Sequence, residues 1–205
     1  MQIDFIFQIA VLIMSVVIHE VSHGYMAYYL GDPTAKYQDR LTINPFKHLD
    51  IIGSLIVPVL CYMTGGFIFG WAKPVPYNPH NLRPGRWSEA LVAAAGPASN
   101  LFLAIVFGVF LRFYALGASA NPAVIHITAL IVFINIILMV FNLVPLAPLD
   151  GSKIFYAIFP ERMYQFRSFF ERYGFMLVLI FIFFGWQYVA PLAGVLFKLI
   201  TGVGI

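Results

Sequence analysis

The chain of 205 residues carries a single cysteine, Cys61, which excludes an intramolecular disulfide and any zinc site built from clustered thiolates. Charge is nearly as scarce. Asp, Glu, Lys and Arg together make up 10% of the residues, against about 25% in soluble domains, so a fully water-facing surface cannot be assembled from them. No internal repeat is visible, inverted or otherwise, and no low-complexity tract. No basic residue precedes the first apolar segment, whose long core differs from that of a cleaved leader, so it is expected to stay in the mature protein. The net charge of +3 points to no nucleic-acid partner; in such a chain a basic excess marks one face of a membrane.

What the chain has in abundance is apolar surface: 61% hydrophobic residues and a mean hydropathy of +0.86. An all-α polytopic membrane protein follows, with residues 1–205 as a single integral-membrane domain. Four apolar segments, roughly 3–30, 89–115, 123–145 and 173–199, are each long enough to cross a bilayer. A fifth, 51–70, is broken by Pro58, Gly65, Gly66 and Gly70. If it re-enters and returns, the loops 31–50, 71–88 and 146–172 share one side with ten Lys and Arg, leaving only Arg112 and Lys198 opposite; a true span would divide them five to seven. The re-entrant arrangement satisfies the positive-inside rule, placing the amino terminus outside and the basic loops in the cytoplasm. Non-helical backbone at membrane depth must line a protein interior or a wet cavity, so this segment, with short β-strands or without, is expected to wall a site. Residues 160–172, basic and aromatic by turns, suit an interfacial helix or a plain connector.

Inside the first apolar segment stands His19-Glu20-Val21-Ser22-His23. From composition alone such a pentad is expected roughly 0.002 times in a chain of this kind. On a helix, positions i and i+4 share a face, so both imidazoles can grip one metal ion while Glu20 lies beside it as a general base. Catalytic zinc takes a third protein ligand and leaves one position for water. Asp150 is the candidate. It follows Asn142-Leu-Val-Pro145-Leu-Ala-Pro148-Leu, where two prolines must end the preceding helix, and Gly151 permits a sharp turn after it. The competing role for Asp150 is to cap a short helix over 151–159. His19 is eleven residues before Leu30, roughly 16 Å below the cytoplasmic end of its helix at about 1.5 Å per residue, and Asp150 emerges at that same membrane face. Asn100 and Asn135 read as interhelical hydrogen-bonding groups. His48, His80 and His126 read as ordinary residues of loops and span ends, and Trp71, Trp87 and Trp186 as interfacial anchors.

These residues resemble the site-2 protease family of intramembrane zinc metalloproteases. The resemblance rests on the pentad, on Gly96-Pro97-Ala98-Ser99-Asn100, and on the run Asn142 to Gly151, which matches the pattern N-x-x-P-x-x-P-L-D-G. Leu30-Gly-Asp-Pro-Thr-Ala, Leu41-Thr-Ile-Asn-Pro and Phe69-Gly-Trp-Ala-Lys-Pro-Val are similar to segments of the compact branch that lacks PDZ and CBS modules. Ser152 departs from the pattern, where a second glycine is usual. The resemblance implies one Zn²⁺ per chain on His19, His23 and Asp150, with Glu20 catalytic and Asn142 holding substrate or oxyanion. The implied substrates are membrane proteins cut in or near their transmembrane segments. The 51–76 region is a candidate edge strand for the unwound substrate. A zinc-binding adaptor without hydrolytic activity gives no reason for Glu20. An ion transporter fits less well still, because the polar groups converge at one depth instead of lining a route.

Overall fold

A computed structural model of the chain describes residues 2–50, 53, 56, 63, 73–117, 120–159 and 164–203. Six longer helices and a one-turn helix order the described residues: α1 (Gln2–Tyr29), α2 (Thr34–Tyr37), α3 (Ser88–Tyr114), α4 (Pro122–Asn142), α5 (Asp150–Ile158), α6 (Tyr164–Ile180) and α7 (Trp186–Thr201). Four helical stretches, Ile6–Tyr29, Ser88–Tyr114, Pro122–Asn142 and Arg167–Thr201, are long and apolar enough to cross a membrane. Between 17% and 39% of their most apolar windows is buried within the protein. Phe102, Phe113, Phe183, Phe184 and Leu199 point outward at 65% exposure or more. Apolar surface on this scale needs lipid as its solvent.

The helix α3 is central, packing on α1, α4, α5 and α7. Its contact face is cut from small residues: Ala104 is fully buried with Val132, Ile136, Ala193 and Phe197, and a Cβ at Gly108 would collide with Ile200. Lipid supplies no hydrophobic drive between helices, so close approach over small side chains supplies the attraction. Asn121 caps α4 by accepting from the Ala123 amide at 2.9 Å, with Pro122 at the first helical position. The helix ends at Asn142, three residues short of the expected boundary, because the residue before Pro145 is driven out of the helical region.

Two expectations change. The interfacial helix and the last span are not separate, since α6 runs from Tyr164 through Ile180 into a π-helical turn at Phe181–Gly185 and then α7. The only glycine within α6, Gly174, does not break it; it is where the helix presses on the Ala147 backbone, and a Cβ there would clash. His48 is not an interfacial residue. It is 1% exposed, its Nε2 donates to the Thr42 carbonyl at 2.8 Å, and its own carbonyl accepts from the Lys73 amide at 2.9 Å.

The broken segment 51–70 lies almost wholly outside the described residues, and there is no strand among those described. The described tail of the 51–76 region carries no strand, and several of its backbone groups are taken. The Lys73 N–H goes to His48, the Lys73 and Pro74 carbonyls accept from Arg40 Nη2 at 2.7 and 3.3 Å, and the Val75 N–H goes to Glu20. Both N–H groups of residues 73–75 are therefore engaged within the chain.

Candidate metal centre

The pentad occupies α1 six residues before its end, and the two imidazoles stack along one face of the helix. Their rings stand 4.6 Å apart between centroids and nearly perpendicular. Asp150 is the first residue of α5, and its carboxylate does not cap that helix. Its Oδ2 lies instead 3.1 Å from His19 Nε2 and 3.2 Å from His23 Nε2. One ligand atom from each of the three residues falls within 4.8 Å of the others.

Hydrogen bonds behind the rings determine which nitrogens face inward. His23 Nδ1 donates to the Val92 carbonyl at 2.7 Å. His19 Nδ1 lies 2.5 Å from Asn100 Oδ1. The orientation of Asn100 is fixed in turn, since its Nδ2 donates to Asn135 Oδ1 at 2.8 Å, and Asn135 Nδ2 donates to the Ile131 carbonyl and to Ser15 Oγ. Asn100 and Asn135 are fully buried. With hydrogen on both Nδ1 atoms, neutral rings turn bare Nε2 lone pairs toward a carboxylate. Two lone pairs and an anion converging at this distance repel unless a cation lies among them. Gly96 supplies a second sign of fit, because a Cβ at that position would clash with Nε2 of both histidines. The α3 backbone thus passes the two nitrogens at a distance only glycine permits, and the space before them stays clear. The donor set, two nitrogens and one carboxylate oxygen, suits zinc with a position left for water.

The remaining expected residues sit as follows. Glu20, half-buried beside the rings, accepts from the Val75 N–H through Oε2 at 2.9 Å. Asn142 closes α4, and its Nδ2 donates to the Leu138 carbonyl at 2.9 Å. Gly151 lets α5 abut the preceding turn, where a Cβ would strike the Leu143 and Val144 carbonyls.

A model of Peptidase family M50 matches residues 111–185. Two relatives share the name "Putative zinc metalloprotease". YwhC of Bacillus subtilis (strain 168) is 38% identical over 174 residues, which cover 82% of this chain and 76% of that protein. The chain belongs to peptidase family M50. The other relative, Rip2 of Mycolicibacterium smegmatis, is 33% identical over 147 residues covering 72% of this chain, which spans about half, 55%, of that relative's length. No solved structure matches.

Sequence reasoning missed three parts of this M50 centre: the His19 contact of Asn100, the clearance at Gly96, and the Val75 amide that holds Glu20. The motif Gly96 to Asn100 carried the signal for the first two. The third had none, because a backbone amide is the same at every residue.

Proposed function

We propose that this M50 peptidase is a zinc metalloendopeptidase of the membrane that binds one zinc ion per chain through His19, His23 and Asp150. The observation that carries this reading is the convergence of both Nε2 atoms on one Asp150 oxygen, within a helix apolar enough to cross a bilayer. Zinc bound there supplies a Lewis acid for the scissile carbonyl and acidifies the attacking water.

The chain's own groups do the rest. Asn100 and the Val92 carbonyl keep both rings in the tautomer that presents Nε2. Glu20, steadied through Oε2 by the Val75 amide, takes a proton from the attacking water and passes it to the leaving amine. Asn142 spends one amide hydrogen on Leu138 and keeps a second for a substrate carbonyl. Substrates are membrane proteins cut in or near a transmembrane segment, which must unwind locally because a helix hides its carbonyls in internal hydrogen bonds. The bias of Lys and Arg toward three loops supports an amino terminus outside and a site opening toward the cytoplasm. Residues 1–205 act as one domain.

Purified protein in liposomes, given a panel of single-span substrates, tests this. Zinc near one per chain, with cleavage abolished by Glu20→Gln while zinc is retained, is the expected result. Zinc without cleavage of any substrate would point to an adaptor, and protein-dependent ion flux to a transporter; either overturns the reading.

A further inference from the structure

The N-terminal end of α3, the helix α5 and the helix α6 line an open cleft of about 1020 Å³. Its lining includes Ala147 and Pro148, just before Asp150, and its α5 wall carries Lys153 and Tyr156, with Phe159 just past the helix end. The cleft is thus continuous with the chain segment that delivers the carboxylate to the metal centre. Three cations line it, Arg86, Lys153 and Arg167, against two carboxylates, Glu89 and Glu171. Arg167 and Glu171 pair at 2.8 Å. Lys153 and Arg86 have no carboxylate partner among the described residues and lie instead over the rings of Tyr77 and Trp87, at 5.0 and 5.2 Å.

We propose that this cleft is a substrate subsite, receiving an extended flank of the peptide beside the scissile bond and favouring an acidic residue there. The proposal rests on the peptidase reading above. Distances along α5 set the register. Lys153 is about 4.5 Å of helix rise from Asp150. An extended peptide advances about 3.3 Å per residue, so Lys153 meets the residue one or two places from the cut. Lys153 and Arg86 attract a carboxylate, and Phe159 and Phe175 flank an apolar side chain further along. A lipid phosphate also suits two cations, but the continuity of the cleft with the Asp150 segment favours peptide.

The test compares single-span substrates that differ only in carrying glutamate or lysine at each of the four positions on either side of the cut. Wild-type enzyme is expected to prefer glutamate within three residues of the cut on one flank. The double variant Arg86→Glu with Lys153→Glu is expected to shift the glutamate-to-lysine ratio of kcat/KM by about tenfold toward lysine. A structural lesion would lower both substrates alike, leave the ratio fixed and overturn the proposal. If the reversal alters only the response to phosphatidylglycerol in the vesicles, the cleft holds lipid and the proposal fails. Wild-type protein that cleaves no substrate sinks the peptidase reading itself, whereas cleavage indifferent to flanking charge sinks only the subsite.

Discussion

At Gly96 the absent side chain is the functional feature, because even one methyl group there would press on the two Nε2 atoms meant for the ion. Gly96→Ala is therefore expected to drop bound zinc far below one per chain while the α1–α3 pair still folds. Elemental analysis of the purified variant checks this, and full zinc occupancy would contradict it. Asn100 acts one step further back, holding the His19 ring by Nδ1. Loss of such an outer partner typically weakens metal binding by about 10–100-fold. Asn100→Ala should show that loss in competition with a chelator, and Asn135→Leu a smaller one, since Asn135 acts only through Asn100. The two histidines and Asp150 were legible as ligand candidates from residue type and spacing. Whether Asp150 would cap its helix or turn toward the rings was not, because both roles use the same carboxylate at the same position.

Among the elements, the loops near the site are held by buried polar pins that no hydrophobic pattern reveals. Asp32, fully buried, accepts from the Thr34 amide and hydroxyl, the Asn78 amide at 2.6 Å and Asn81 Nδ2 at 2.9 Å, tying the end of α1 to residues 78–81. Burial would raise its carboxyl, but these donors outweigh that and hold it below the usual range. A depressed folded pKa adds stability above the unfolded value of about 3.9, and that stability is lost as pH falls through the folded value. Unfolding in detergent should thus become easier below about pH 4, and Asp32→Ala should remove about 1–3 kcal/mol at neutral pH. Denaturation of the variant, with its pH response flattened in the acid range, checks both. The Gly31-Asp32-Pro33-Thr34 run announced a turn, since Asp and Thr side chains bond nearby backbone; the partners at 78 and 81 were invisible. Similarly, α6 reads in sequence as two pieces because charge gives way to apolarity near residue 172, while the backbone meets no breaker there.

For the molecule as a whole, zinc held as proposed would join α1 to α5, two elements 131 residues apart at His19 and Asp150. An ion that binds only the folded state stabilises it by mass action, about 2.7 kcal/mol at a hundredfold excess over Kd. Stripping zinc with a chelator should lower the thermal midpoint by several degrees, and added zinc should restore it. His23→Ala should show no such response, which separates this effect from chelator damage. Orientation is testable in a Cys61→Ser background, where cysteines replacing Lys47 and Arg83 should react with impermeant reagents only from the cytoplasmic side, and one replacing Gly117 only from outside.

By itself the sequence determined the solvent, the four crossing-length helical stretches found among the described residues and the pairing of two imidazoles. Each of these depends on local order: about twenty apolar residues in a row to span hydrocarbon, and a four-residue spacing to share a helical face. Only the packed helices decided that Asp150 would turn to those rings, that Asn100 and Asn135 would stand behind His19, that Gly96 would clear the approach, and that Arg40, His48 and Glu20 would hold residues 73–75. A residue's type states which bonds it can make, but its partner, 35 to 131 positions away in the His19–Asn100–Asn135 and His19–Asp150 contacts, is chosen by how close one helix can come to another.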